Sequence, residues 1–133
     1  MIVGIDHIGI ALDNIETLGN FLTEALGIKC ETVEEVPDRK LRVGFYPIGE
    51  SDLELIEETG EGSTISYFLN SIGNGLQHLA FQVDDLDKTI EFIKSKGIEF
   101  IEKEPQKGAR GRKIIFIKPE YTGNVLIELC QCE

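Results

Sequence analysis

Between Val3 and Leu12 the side chains alternate with period two: Ile5, His7, Gly9 and Ala11 fall on one side, Ile8, Ile10 and Leu12 on the other. That is the pattern of a half-buried strand. The period then lengthens. Ile15, Leu18, Leu22 and Leu26 recur three to four residues apart, behind Asp13 and Glu16 at capping-box spacing and ahead of Gly27. A helix with a defined start and stop is predicted. Strand patterns return at about 28–35, 40–48 and 52–58. The succession is then repeated: a strand placing Leu76, His78 and Ala80 on one side, a helix from Asp84 through Leu86, Ile90 and Ile93 to Gly97, and strands at about 98–103, 112–118 and 124–131. Between the two runs, Ile65, Phe68, Leu69 and Ile72 predict a short helical connector ended by Gly73.

The likeness of the two runs extends to single residues. VGIDHIGIALDNI at 3–15 aligns without gaps on NGLQHLAFQVDDL at 74–86, so that His7 falls on His78, Asp13 on Asp84 and Ile15 on Leu86. A tiny residue, Gly9 or Ala80, stands two positions after each histidine and leaves room beside its ring. Leu53-Glu54-Leu55 corresponds to Ile127-Glu128-Leu129, which puts a carboxylate within an apolar run at the end of each half. A repeat of this kind fixes the reading of the whole fold. The chain is expected to be a single α+β domain over 1–133, made of two tandem β-α-β-β-β modules at about 1–60 and 74–133 with a connector at 61–73.

Composition narrows the function classes. At 133 residues the chain is long enough for folding to bury about two-thirds of its surface, so no structural metal or disulfide is needed for stability. With 13 Lys and Arg against 24 Asp and Glu, the formal charge of -11 argues against nucleic-acid binding, which needs a basic face. No apolar run approaches a membrane span, and no basic or cleavable leader precedes the first strand, so a cytoplasmic address is expected. Cys30, Cys130 and Cys132 form no paired C-x-x-C motif and read as packing or surface thiols.

The chain has only two histidines, and they are one position used twice, each matched by a repeat-related glutamate. A lone Glu in a strand usually faces water. The duplication points the other way: His7, Glu54, His78 and Glu128 form a plausible ligand set for one divalent ion of the first transition row, Co, Zn, Ni, Mn or Fe.

With those residues goes a resemblance. DHIGIAL at 6–12, EEVPDRKLRVGFYPIGESDLELIE at 34–57, GLQHLAFQVDDL at 75–86, EPQKGARGRKIIFIKP at 104–119 and GNVLIELCQ at 123–131 resemble the vicinal-oxygen-chelate superfamily and, within it, the methylmalonyl-CoA epimerases. The resemblance implies that the two modules curl into a cupped mixed sheet with helices outside, and that the four residues named above ligate a metal inside it. It also implies an acyl-CoA substrate, a homodimer, and epimerisation by removing an α proton and returning it to the other face. Two acid/base groups are needed for that. The resemblance assigns Glu128 as one and Asp38 as the other, where relatives carry Glu; Glu35 is the rival for the second. Lys107, Arg110, Arg112 and Lys113, interspersed with Gly108 and Gly111, are the expected landing place for coenzyme A phosphates. Lys118-Pro119 departs from the His-Pro common in epimerases. The nearest rival reading is lactoylglutathione lyase (glyoxalase I), against which stand the turn Glu120 to Asn124 and the basic stretch. A non-catalytic small-ligand-binding module is a further alternative.

Overall fold

The computed structural model describes residues 1–132, so that Glu133, the last residue of the second expected module, lies outside the described residues. Among the described residues, eight strands and three α-helices follow in the order β1 (Ile2–Leu12), α1 (Ile15–Leu26), β2 (Thr32–Val36), β3 (Leu41–Ile48), β4 (Ser51–Glu58), α2 (Ser66–Ser71), β5 (Gly75–Val83), α3 (Leu86–Ser95), β6 (Gln106–Lys107), β7 (Lys113–Ile117) and β8 (Ile127–Gln131). The expected α+β class is borne out. Two compact units can be distinguished, one formed by His7–Gln77 and the other by Met1–Asp6 with the chain from His78 on. Strand β1 thus contributes to both.

In the first unit β1 runs parallel to β4, while β4 and β3, and β3 and β2, are antiparallel. Parallel neighbours require a crossover, and the chain from α1 to β3 supplies it. Helix α1 turns Ile15 and Leu22 onto Ile10, Leu12, Tyr46 and Leu55, which form the core of this unit. Its Gly19 lies where a Cβ would fall 2.3 Å from the Tyr46 hydroxyl, so only glycine allows this approach. The second unit repeats the plan. Strands β5 and β8 are parallel, β8 and β7, and β7 and β6, antiparallel, and α3 packs Leu86 and Ile90 with Val83, Phe100, Ile115, Ile117 and Leu129.

Two local expectations are corrected. The helix caps fall one residue later than expected. Asn14 accepts from Glu16 N–H (2.7 Å) and Asp85 from Lys88 N–H (3.0 Å), while the Asp13 carboxylate is engaged by the side-chain amide of Asn74 (3.2 Å) and the Asp84 carboxylate by the Met1 amino group (3.0 Å). The strand expected at 98–103 is reduced to one bridge, Phe100 to Ile117, with the two-residue β6 further on. Glu102 accepts the Phe116 N–H through its carboxylate (2.8 Å), taking a donor that a full ladder would use, and Pro105 has no N–H to offer.

Candidate functional site

Strand register explains why each histidine is followed, two residues on, by a residue with almost no side chain. Gly9 is the strand neighbour of Glu54, and Ala80 is the strand neighbour of Glu128. Each small residue thus stands beside the glutamate whose carboxylate is paired with its histidine. His7 Nδ1 is 3.0 Å from a Glu54 oxygen in the first unit, and His78 Nε2 is 3.5 Å from a Glu128 oxygen in the second. All four side chains are buried, His7 at 2% and Glu54 and Glu128 at 4% exposure. On its other side each glutamate has a phenylalanine as antiparallel neighbour, Phe45 beside Glu54 and Phe116 beside Glu128. Phe45 is fully buried, and Phe116 meets the His78 ring edge-on at 5.7 Å. These two aromatic residues went unnoticed in the sequence reading, yet they stand 71 positions apart, the same offset as the histidines.

A buried carboxylate is costly unless paired. Here each is paired with an imidazole, and the N···O separations of 3.0 and 3.5 Å match two donors held on one ion at roughly 2.0–2.2 Å with about 90–110° between them. By donor chemistry and spacing, each pair fits half of a divalent metal site.

The two candidates for the second acid/base differ in placement. Rows of neighbouring residues across β2, β3, β4 and β1 run Thr32, Phe45, Glu54, Gly9 and, three residues away on each strand, Glu35, Arg42, Glu57, Leu12. An odd step reverses the face, so Glu35 lies on the side opposite Glu54. There Arg42 binds Glu35 (2.9 Å) and Glu57 (3.3 Å). Asp38 sits exposed in the 3-10 turn Pro37–Arg39. The turn and Lys40 after it are tied to the chain at 59–64 through Thr59 N–H to Lys40 O (2.9 Å), Thr64 N–H to Arg39 O (3.4 Å) and Lys40 Nζ to Glu61 O (2.9 Å). The connector is itself clipped by Glu58, which accepts from the hydroxyls of Ser63 (2.7 Å) and Ser66 (2.5 Å), and these bonds hold the Glu58 carboxyl below its usual range.

The basic stretch forms a tight hairpin. Lys107 and Lys113 are exposed and directly opposite each other, and Arg110 is exposed with a left-handed backbone, φ 60°. Arg112 does not join them. It is 7% exposed and paired with Asp6, which corrects the expectation that all four cations face solvent and phosphate together. Lys118 is bound to Glu99 (3.0 Å). Burial pushes the Cys130 thiol up, while Cys30 and Cys132 are exposed, as packing and surface thiols should be.

The sequence profile described as glyoxalase/bleomycin resistance protein/dioxygenase superfamily matches residues 6–116. The chain belongs to that superfamily. It is 37% identical over 127 residues to the uncharacterized protein YqjC of Bacillus subtilis, covering 96% of this chain and 91% of that protein. It is 31% identical over 129 residues to the mitochondrial methylmalonyl-CoA epimerase of Mus musculus, covering 96% of this chain and 72% of the relative. Among solved structures, the Streptomyces coelicolor methylmalonyl-CoA epimerase in complex with 2-nitronate-propionyl-CoA superposes with a TM-score of 0.92 at 31% identity, covering 98% of each chain. Among the described residues no helix is long and apolar enough to cross a membrane.

Proposed function

We propose that this chain is a cytoplasmic, metal-dependent methylmalonyl-CoA epimerase acting as a homodimer, with His7, Glu54, His78 and Glu128 holding one divalent ion. The observation that carries this reading is the pair of buried His–Glu couples at repeat-related positions in a chain similar over nearly its full length to epimerases. The exposed apolar residues Ile2, Val3 and Ile5 at the start of β1 suit a self-associating surface.

A bound ion would supply a positive centre for the oxygen on which negative charge develops as the α proton leaves. The protein's own groups move the proton. One carboxylate takes the α hydrogen of the thioester as a proton, leaving the bond's electron pair in the enolate, and the carboxylic acid on the opposite face returns a proton to the same carbon. Glu128 is assigned one face and Asp38 the other, since Glu35 is turned to the other side of the sheet.

Incubating the purified protein with methylmalonyl-CoA in deuterated water tests the reading. Deuterium should enter at the α carbon as the epimers interconvert, and Glu128→Gln should lower the rate at least about 100-fold. Turnover of the hemithioacetal of methylglyoxal and glutathione without exchange into the thioester would instead establish lactoylglutathione lyase activity. Binding of ligand with no metal and no turnover would establish a binding module.

A further inference from the structure

The 107–113 hairpin combines two features that a plain surface loop avoids. Lys107 and Lys113 are direct cross-strand neighbours, and like charges in that arrangement repel each other across the ladder. Arg110 adopts φ 60° and Gly111 φ 70°, a conformation that a side-chain-bearing residue keeps only when its surroundings enforce it. Enforcement comes from two sides. Gly108 is seated where a Cβ would lie 3.0 Å from Ile114, and its N–H donates to Arg112 O (2.8 Å). Arg112, in turn, donates from Nε to Ala109 O (3.2 Å) and from Nη1 to Asp6. Asp6 is also buried, at 8% exposure, and comes from the opening segment of β1. The hairpin borders an open depression lined by Pro105, Gln106, Lys107, Gly111, Arg112 and Lys113.

We propose that the buried Asp6–Arg112 pair is a positioning device for an anion site at this hairpin, where Lys107, Lys113 and the turn's backbone receive a phosphate-bearing ligand. Arg112 acts through the turn: its charge is committed to Asp6 and its fork braces the carbonyl of Ala109. The left-handed turn is thereby held in shape, and the two lysines stay close together with their repulsion unrelieved until an anion arrives. Identifying the ligand with the phosphates of an acyl-CoA rests on the function proposed above; the anion site itself does not.

Titration calorimetry with coenzyme A and, separately, with inorganic pyrophosphate distinguishes the two. Lys107→Gln and Lys113→Gln should each weaken both ligands and flatten the dependence of affinity on salt, because each removes one direct phosphate contact. Asp6→Asn should weaken both roughly tenfold and leave the salt dependence as in the unaltered protein. If Arg112 were itself a phosphate ligand, Asp6→Asn would release it and tighten binding, and that result overturns the proposal. Arg112→Lys keeps the charge but loses the planar fork. It should fold even where Asp6→Asn does not, and should give the same weakening; an unchanged affinity in Arg112→Lys also overturns the proposal. Pyrophosphate binding with the expected variant pattern but no binding of coenzyme A would leave the anion site standing and defeat the acyl-CoA reading. Binding of neither by the unaltered protein defeats both.

Discussion

At the scale of single residues, the site depends as much on what is missing as on what is present. His7 and His78 are conspicuous in a chain that has no other histidine, but the strand neighbours of their partner glutamates are the small residues Gly9 and Ala80. Ala80 is fully buried and is the strand neighbour of Glu128. Ala80→Val adds two methyl groups where there is no room, and overpacking of this kind costs about 1–3 kcal/mol. The more specific effect should be on the proposed metal site. The valine displaces the Glu128 carboxylate from His78, so that metal affinity falls at least about tenfold, as losing a group that orients a ligand does. Alanine-to-glycine at the same position should leave affinity within about twofold while costing about 1 kcal/mol of stability through backbone freedom. Metal titration alongside urea unfolding separates these outcomes, and equal metal affinity in Ala80→Val would show that the small residue serves packing alone.

At the scale of elements, the repeat continues beyond the residues that first revealed it. Ile15 N–H, the first of α1, donates to the Glu57 carboxylate (2.9 Å), and Leu86 N–H, the first of α3, donates to the side-chain oxygen of Gln131 (2.6 Å). Each module's last strand thus caps its own helix, three residues after the glutamate proposed as a ligand. Glu57→Ala removes this acceptor and a partner of Arg42 and should destabilise the protein by about 1–2 kcal/mol. Glu57→Gln keeps the acceptor and should recover most of that loss, which denaturant unfolding of both variants will measure. Such caps were not legible in the sequence, because they join residues 42 and 45 positions apart and depend on register. The elements themselves were legible, since the period-two and helical patterns recur in the same order with matching glycine stops. Reading failed where a side chain replaced a backbone partner: at Glu102, which breaks up the strand expected at 98–103, and at Asp13, which is bonded to Asn74 while Asn14 caps the helix. It failed again at Arg112, because spacing along a loop does not show that one of four neighbouring cations is turned inward to an acid 106 positions away.

At the scale of the whole molecule, a chain with a net charge of -11 has many acids and few histidines, and two of those acids are placed in apolar surroundings beside the only two imidazoles. Each unit carries one His–Glu pair. Two donors alone make a weak site for a first-row ion, whereas four donors on one ion make a strong one and link the stability of the parts that supply them. The proposed site therefore makes a definite prediction about stoichiometry. Elemental analysis should find one ion per chain, and His7→Ala and His78→Ala should each abolish binding rather than halve it, because either change removes a ligand from the same ion. A protein binding two independent ions would lose one with each substitution and keep the other. Chelation gives a second measure. Free metal at about a thousandfold excess over its dissociation constant stabilises the native state by about 4 kcal/mol, so removing it should lower the melting temperature in a single shift of the entire transition. A transition that instead splits, with one part insensitive to chelator, would mean that the ion is held within one unit and that four-residue ligation is wrong.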